Sequence, residues 1–305
     1  MNSGVKGSEI VRPSTRILDY VELMKPELTG LSVLTTLCAF YLASEHPLDV
    51  WRMIWTGVGT LLVGGGAGAL NQYVERTYDA LMKRTERRPL PSGRLQPIEV
   101  LVFGCLTSVV GLAILQTLAN TFAAGIAAAT LVLYLFLYTP LKRITWFNTI
   151  VGAIPGALPT LIGWVSARNE VTVGGLVFFS ILFVWQMPHF LSLAWMYKKD
   201  YSRAGYKMLT VLDDDRGSRT SRQVLIYCAM LVPLSVGFTV IGMTGLIYLV
   251  GALIVSGAFV WSSALFSQAS WGNNPVKVNS RSRQVFFASL LYLPALMVLM
   301  VLDRL

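Results

Sequence analysis

Long apolar stretches alternate with short polar segments along this chain, and nine such stretches are present. A helix that spans a bilayer needs about 20 mostly apolar residues, and each stretch comes close to that length. The pattern therefore predicts an all-α integral membrane protein with nine transmembrane helices. The predicted spans cover residues 27–44, 51–70, 98–118, 121–138, 147–167, 172–196, 222–242, 245–268 and 284–302.

The composition agrees with this class of protein. Hydrophobic residues make up 54% of the chain and charged residues 13%, whereas a soluble domain carries about 25% charged residues. The spans leave no room for a soluble domain, so we expect a cytoplasmic N-terminal tail over residues 1–19 and a single transmembrane domain over residues 20–305. Cys38, Cys105 and Cys228 lie in apolar stretches at unrelated spacings, which predicts neither a disulfide framework nor a zinc site.

The basic residues predict the orientation of the spans. With the N-terminus in the cytoplasm, 22 of the 25 Lys and Arg residues fall on the cytoplasmic side, and only Arg52, Arg168 and Arg304 fall outside. This is the asymmetry that the positive-inside rule requires. We therefore expect a multi-pass protein of the cell (inner) membrane with its C-terminus on the outer side. The net charge of +9 then fits membrane lipid and an anionic substrate rather than nucleic acid.

A polar segment follows the second span and carries the first candidate chemistry. Asn71, Glu75, Asp79 and Lys83 are four residues apart, so they share one face if the helix continues through them. Carboxylates and phosphate oxygens together are the ligands that Mg²⁺ prefers, and arginine forks bind phosphate. The segment also contains Arg84, Arg87, Arg88 and Arg94. It predicts a site for a divalent metal and a diphosphate; a solvated basic loop is the alternative.

Two further polar segments fall on the same predicted side. Tyr138, Lys142 and Arg143 end the fourth span, and their cations could bind a diphosphate oxygen or anchor the helix at the interface. Asp200 and Arg203 follow the sixth span, where Asp200 could hold a metal or form a surface ion pair. The acidic run Asp213–Asp215 lies farther from any span, and we expect a solvated loop there.

A histidine inside the sixth predicted span is a third candidate. His189 follows Pro188 in the sequence WQMPHF. Ionisable side chains within spanning helices mark functional sites by default, so His189 could bind a metal, move a proton or hydrogen-bond a carboxylate. A structural histidine beside a proline is the alternative. The fifth span carries Pro155 and Pro159 among glycines, which predicts a kinked helix or close helix packing.

The polar motifs together resemble those of the UbiA superfamily of intramembrane prenyltransferases. The run N-x-x-x-E-x-x-x-D-x-x-M-x-R-T-x-x-R-P-L-P-x-G, from Asn71 to Gly93, resembles its first acidic motif, and Tyr138 to Arg143 matches its Y-x-x-x-K-R motif. Glu75 stands where Asp is more common, which keeps a carboxylate. The resemblance covers roughly residues 20–303 and implies a bundle of nine helices around a central cavity open to the cytoplasmic side.

The sixth span and its loop are similar to one branch of that superfamily, the branch that farnesylates protohaem IX. The similarity lies in Trp185–Phe190 and in Asp200–Met208, read as DYSRAGYKM. Members that act on quinone precursors usually carry a second D-x-x-x-D cluster there. In this chain the positions four residues before and after Asp200 are Met196 and Ala204.

The resemblance implies substrates and roles for the residues. Farnesyl diphosphate, haem B and water would give haem O and diphosphate, with Mg²⁺ as cofactor. The implied catalytic and Mg²⁺-holding residues are Asn71, Glu75, Asp79 and Asp200. The implied diphosphate contacts are Lys83, Arg84, Arg88, Tyr138, Lys142 and Arg143. The haem-contacting candidates are His189 and Arg203, and the aromatic candidates for stabilising a carbocation are Tyr73, Tyr138 and Phe190.

Two alternative functions remain at this point. A prenyltransferase that acts on a quinone precursor or another aromatic acceptor would need neither iron nor His189. A transporter would often show paired repeats with broken helices, and neither such a pairing nor charges near the bilayer midplane is evident. A haem A synthase or a terminal oxidase is a further partner that the resemblance suggests.

Overall fold

The structure is a computed structural model that describes residues 16–45, 47–272 and 274–305. Within these ranges, nine helices are long and apolar enough to cross a membrane, which confirms the prediction of an all-α membrane protein. These spans are α2 (Pro26–Ala43), α3 (Val50–Asp79), α4 (Pro97–Ala119), α5 (Thr121–Leu141), α6 (Asn148–Arg168), α7 (Val173–Met196), α10 (Ser218–Val240), α11 (Leu246–Trp271) and α12 (Pro275–Leu302). The shorter helices are α1 (Arg16–Leu23), α8 (Lys198–Arg203) and α9 (Leu209–Leu212).

The spans pack mainly against neighbours in the chain. The most extensive contacts join α3 to α4, α10 to α11, α11 to α12 and α2 to α6. The largest fully buried side chains include Trp164, Phe178, Phe238 and Tyr292. Many large apolar side chains elsewhere on the spans are exposed, Trp261 and Leu291 among them. A soluble monomer rarely exposes so much apolar surface, so these side chains are suited to contact lipid.

Two helices extend well beyond the predicted spans. Helix α3 continues to Asp79, although the predicted span ended at residue 70. Helix α12 begins at Pro275 rather than near residue 284, and Asn274 caps it by accepting a hydrogen bond from the backbone N–H of Lys277 at 3.1 Å. Polar residues can continue both helices because an α-helix satisfies its own backbone polar groups. Hydropathy detects only the apolar part of a helix, so the predicted spans are shorter than the helices.

The predicted N-terminal tail contains the start of a helix. Residues 1–15 lie outside the described residues, but α1 covers Arg16–Leu23, so the predicted boundary at residue 19 falls inside it. Asp19 and Leu23 are buried, and Arg94 contacts Asp19 and Glu22 at 3.1 and 2.8 Å. These ion pairs connect α1 to the segment that follows α3.

Two spans contain a stretch of π-helix. One covers Leu115–Ala119 at the end of α4, and the other covers Leu133–Tyr138 in α5. Such stretches are rare and occur often at functional sites. Tyr138 packs so closely on α6 that a Cβ at Gly152 would lie 2.5 Å from its ring. Helix α6 itself continues through Pro155 and Pro159.

Candidate active site

The end of α3 brings three of the four evenly spaced polar residues onto one buried face. Asn71, Glu75 and Asp79 are 1%, 5% and 1% exposed. The helix ends at Asp79, so Lys83 lies in the turns that follow and is exposed. The expectation that Lys83 continues the helical face is therefore wrong, because the chain leaves the helix one turn earlier.

Glu75 forms a buried ion pair with Lys142, which follows the end of α5. The Lys142 Nζ donates to the two carboxylate oxygens of Glu75 at 2.7 and 2.9 Å, and it lies 4.7 Å from the centroid of the Tyr138 ring. Burial acts to lower the pKa of Lys142, but the Glu75 carboxylate outweighs it and holds that pKa well above its usual range. The pair joins two of the predicted motifs in one site.

The remaining two predicted carboxylates also have cationic partners. Asp79 accepts a hydrogen bond from Arg88 at 2.8 Å, and its backbone carbonyl accepts one from the Thr85 hydroxyl at 2.8 Å. Asp200 lies 3.3 Å from an Arg203 guanidinium nitrogen and accepts a bond from the backbone N–H of Arg84 at 3.3 Å. Arg84 and Asp200 thus bring α8 against the turns after α3.

The arginines of the predicted polar segments separate into two groups. Arg84 lies over the rings of Tyr197 and Tyr201, with its Cζ at 5.2 and 5.9 Å from their centroids. Arg143 contacts the ring and hydroxyl of Tyr78. These cations belong to the cluster, whereas Arg94 pairs with α1 as described above.

Lys25 also belongs to the cluster, although the sequence interpretation omitted it. It precedes α2, and its Nζ donates to the Asn71 Oδ1 at 2.6 Å; the Asn71 Nδ2 in turn donates to the Thr139 hydroxyl at 3.1 Å. Burial, followed by the nearby cations Arg88 and Lys142, lowers the pKa of Lys25 to about 7. The sequence feature that could have pointed to Lys25 is its position directly before Pro26, the proline that begins a span.

Tyr206 is the second residue that the sequence interpretation missed. It lies between α8 and α9, is 3% exposed, and its ring centroid is 5.7 Å from the Lys142 Nζ. Burial and the Glu75 carboxylate raise the pKa of its hydroxyl. The sequence feature that could have pointed to Tyr206 is its position directly after Gly205, in the motif that begins at Asp200.

The donor chemistry of the cluster fits a hard divalent cation. Carboxylate and amide oxygens are the protein ligands that Mg²⁺ takes beside phosphate oxygens, and Asn71, Glu75, Asp79 and Asp200 supply them. Across the described ranges, no group of three or more His, Cys, Asp or Glu residues is gathered closely enough to hold a metal. Each carboxylate is instead held by a cation of the chain, so metal binding requires these ion pairs to rearrange.

The two haem-contacting candidates lie in different surroundings. His189 is in α7, where its Nδ1 is 2.8 Å from the Ser289 hydroxyl of α12. Its ring lies between Trp185 and Phe286, at centroid distances of 5.1 and 5.0 Å. Arg203 pairs with Asp200 and therefore belongs to the polar cluster. The structure does not bring His189 and Arg203 together through any described contact.

The acidic run after α9 is only partly a solvated loop. Asp215 is fully exposed, but Asp213 is buried and accepts bonds from the Thr220 backbone N–H at 2.7 Å and from the Thr220 hydroxyl at 2.6 Å. Asp213 thus satisfies donors in the first turn of α10. The three cysteines are free; Cys38 and Cys228 are buried, and Cys105 is exposed.

Two surface cavities lie outside this cluster. One of about 490 Å³ is lined by Trp146, Leu209, Arg219 and Arg222, beside the segment that carries Tyr206. Another of about 420 Å³ lies at the opposite ends of the spans, between Arg168 and Arg304. Neither cavity is lined by the carboxylates of the cluster.

Comparison with known structures shows that the fold is shared with membrane prenyltransferases. A digeranylgeranylglyceryl phosphate synthase superposes with a TM-score of 0.75 at 16% identity, covering 94% of this chain and 99% of that chain. A UbiA homologue from Archaeoglobus fulgidus bound to GPP and Mg²⁺ superposes with a TM-score of 0.65 at 13% identity, covering 92% of this chain and 99% of that chain. These likenesses agree with the arrangement of spans described above.

Sequence comparison is more specific. A protein named protoheme IX farnesyltransferase from Solibacter usitatus is 44% identical over 295 residues, which are 94% of this chain and 98% of the relative. The protein of that name from Salinibacter ruber is 44% identical over 285 residues, which are 93% of this chain and 98% of the relative. The model of the UbiA prenyltransferase family matches residues 32–300, and the chain therefore belongs to the UbiA prenyltransferase family.

Proposed function

We propose that this protein transfers a farnesyl group from farnesyl diphosphate to a vinyl group of protohaem IX, with addition of water, to give haem O and diphosphate. The observation that carries the proposal is the set of three buried carboxylates, Glu75, Asp79 and Asp200, each paired with a cation. The cations are Lys142, Arg88 and Arg203 respectively. Such a cluster offers oxygen ligands for a cation and donors for an anion within one site. The 44% identity to relatives named for this activity supports the choice of acceptor.

The cations of the chain bind the leaving diphosphate in this proposal. The side chains of Lys142 and Arg88 donate to Glu75 and Asp79, and the Lys25 side chain donates to Asn71. Arg84 donates to Asp200 through its backbone N–H, while its guanidinium lies over the rings of Tyr197 and Tyr201. Positive groups placed where negative charge develops lower the barrier of the reaction, because they need little reorganisation. When the C–O bond of farnesyl diphosphate breaks, the electron pair leaves with the diphosphate.

Mg²⁺ is the proposed cofactor. Asn71, Glu75, Asp79 and Asp200 would hold it. When bound, it supplies Lewis-acid stabilisation of the diphosphate oxygens. If Glu75, Asp79 and Asp200 held Mg²⁺, their ion pairs with Lys142, Arg88 and Arg203 would be broken. These three cations would then be free to contact the diphosphate.

The chain also protects the carbocation that remains on the farnesyl group. The rings of Tyr138 and Tyr206 lie beside the Lys142 ammonium, and Tyr78 packs on Tyr206. Aromatic faces stabilise cations. The terminal carbon of the haem vinyl group attacks C1 of the farnesyl cation, which moves the positive charge to the carbon next to the porphyrin. Water adds there as a hydroxyl group and releases one proton, so the atoms and charges balance.

His189 is proposed to contact the haem, as an iron ligand or near a propionate. Its Nδ1 is held by Ser289, which leaves Nε2 as the atom that a ligand could use. A His189→Ala protein should lose haem affinity, as measured by the shift of the haem absorption band on titration. Equal haem affinity and equal product formation in the variant would reject this role.

The proposed location is the cell inner membrane, with the N-terminus and the polar cluster on the cytoplasmic side. The positive-inside asymmetry of the sequence supports this orientation, and the nine apolar helices support several passes through the membrane. Farnesyl diphosphate would then reach the cluster from the cytoplasmic side.

One assay tests the proposed function directly. Purified protein is incubated with haem B, farnesyl diphosphate and Mg²⁺, and the product is identified by mass; we expect haem O. Glu75→Gln and Asp79→Asn should each lower turnover strongly and weaken Mg²⁺-dependent binding of diphosphate. Unchanged turnover in both variants would reject the metal assignment, and product only with 4-hydroxybenzoate would move the proposal to a quinone precursor.

A further inference from the structure

Tyr206 is directed into the polar cluster by the backbone around it. Gly205 has a φ of +69°, a left-handed conformation that glycine adopts without strain, and it turns the chain after α8. The backbone N–H of Tyr206 donates to the Tyr201 carbonyl at 3.0 Å, and that of Lys207 donates to the Lys142 carbonyl at 2.8 Å. The segment is therefore fixed to the residue whose side chain holds Glu75.

The ring of Tyr206 is enclosed by the same cluster. Its centroid lies 6.1 Å from those of Tyr78 and Tyr201, and Met82 and Ala194 belong to the apolar group around it. A tyrosine hydroxyl is protonated at neutral pH, so that of Tyr206 is available as a donor.

The Tyr206 hydroxyl is buried and has no hydrogen-bond partner among the described residues. The Glu75 carboxylate is near enough to be a weak acceptor for this hydroxyl, but the contact falls outside the distance and angle of an ordinary hydrogen bond. Most buried hydroxyls are paired because an unmet hydrogen bond is costly. The hydroxyl of Tyr134, by contrast, has a partner, since it accepts a hydrogen bond from the Lys25 Nζ at 3.5 Å. An unpaired donor beside a Glu–Lys pair suits an anionic oxygen that enters the cluster.

We propose that the Tyr206 hydroxyl donates a hydrogen bond to an oxygen of the diphosphate bound between Glu75 and Lys142. This inference rests on the proposed function, because it takes the cluster to be the diphosphate site. Tyr206 would then act with Lys142 on the same anion, the tyrosine as a neutral donor and the lysine as a charged one.

The test compares two single-hydroxyl deletions by calorimetry with inorganic diphosphate and Mg²⁺. Tyr206→Phe keeps the ring and its packing, and should raise the Kd for diphosphate by about tenfold, the loss expected for one hydrogen bond to a charged group. Tyr292→Phe is the control, since its hydroxyl bonds Ser235 at 2.7 Å and lies in α12. The control should bind diphosphate like the parent protein even if its melting temperature falls.

The possible outcomes distinguish a failure of the Tyr206 role from a failure of the proposed function. An unchanged Kd in Tyr206→Phe, with tight binding by the parent, overturns the role of Tyr206 and leaves the proposed function intact. A loss of haem affinity in Tyr206→Phe with an unchanged diphosphate Kd also overturns it. A parent protein that binds no diphosphate at all, with or without Mg²⁺, would instead reject the proposed function.

Discussion

Lys142 illustrates how a buried charge and its partner depend on each other. Its side chain is 14% exposed and that of Glu75 is 7% exposed. Removing one partner of a buried pair leaves the other charge uncompensated, whereas replacing both by neutral groups is often tolerated. The pair is therefore a place where the contributions to stability and to activity can be separated.

We predict that Lys142→Met lowers the free energy of unfolding by about 3–5 kcal/mol and abolishes diphosphate binding. The double variant Glu75→Gln/Lys142→Met should recover most of that stability without recovering turnover. Thermal unfolding in detergent and the haem O assay measure the two effects. Lys199→Met is the control, because Lys199 is exposed beside the cluster; equal damage by this control would contradict the role of the buried pair.

Sequence reasoning identified the acidic residues of the cluster more completely than its cations and hydroxyls. Glu75 and Asp79 follow from helical spacing, because four residues make about one turn. Lys25 and Tyr206 are 46 and 135 positions away from Asn71 and are brought in by tertiary contacts. No local periodicity links them to the motif, so only the structure reveals their positions.

At the scale of the helices, two carboxylates cap the start of α10: the exposed Asp214, which bonds Ser218, and the buried Asp213. Asp213 accepts bonds from the Thr220 backbone N–H and hydroxyl and from the Arg219 backbone N–H at 3.2 Å. We predict that Asp213→Ala lowers the free energy of unfolding by about 1–3 kcal/mol, since it leaves these donors unpaired. Thermal unfolding measures the change. Asp215→Ala, at a fully exposed position, should leave the melting temperature as it is.

Helix α6 positions Tyr138 through a close approach at Gly152. A methyl group there would meet the Tyr138 ring at 2.5 Å, and that ring lies against the Lys142 ammonium. We predict that Gly152→Ala lowers turnover by about 10- to 100-fold, because small displacements of positioning groups reduce rates by such factors. The haem O assay measures this loss. Gly125→Ala, in α5 with no atom within 4 Å of the added carbon, should keep the parent rate; a matching loss there would point to general helix effects.

At the scale of the molecule, the fold was predictable to a large extent. Nine spans appear in both the sequence pattern and the described structure because hydropathy reports the requirement to cross lipid. The polar start of α12 and the helix at Arg16–Leu23 escaped prediction because their residues are not continuously apolar. The continuation of α3 to Asp79 lies beyond the predicted span, but it meets the condition on which the shared face of Asn71, Glu75 and Asp79 depended. The packing order of the helices depends on contacts between distant segments, which a single sequence does not encode in any local pattern.

The predicted orientation leads to a labelling experiment. Lys83 and Asn169 are exposed and lie near opposite ends of the bundle, after α3 and after α6 respectively. On a cysteine-free background, an impermeant maleimide should label Asn169→Cys in spheroplasts and Lys83→Cys only in inside-out vesicles. The reverse pattern would place the polar cluster outside the cell and contradict the positive-inside interpretation.

The π-helical stretch in α5 has a consequence for how this protein can change during evolution. Leu133–Tyr138 accommodates more residues per turn than a regular helix. A turn of π-helix holds about one residue more than a turn of α-helix, so deleting that residue would restore regular α-helix and leave the flanking parts nearly in register. A one-residue deletion in the regular part, Thr121–Val132, would instead turn everything beyond it by about 100° and carry Tyr138 and Lys142 away from Glu75. Such a deletion should therefore be rarer among active members than one within Leu133–Tyr138.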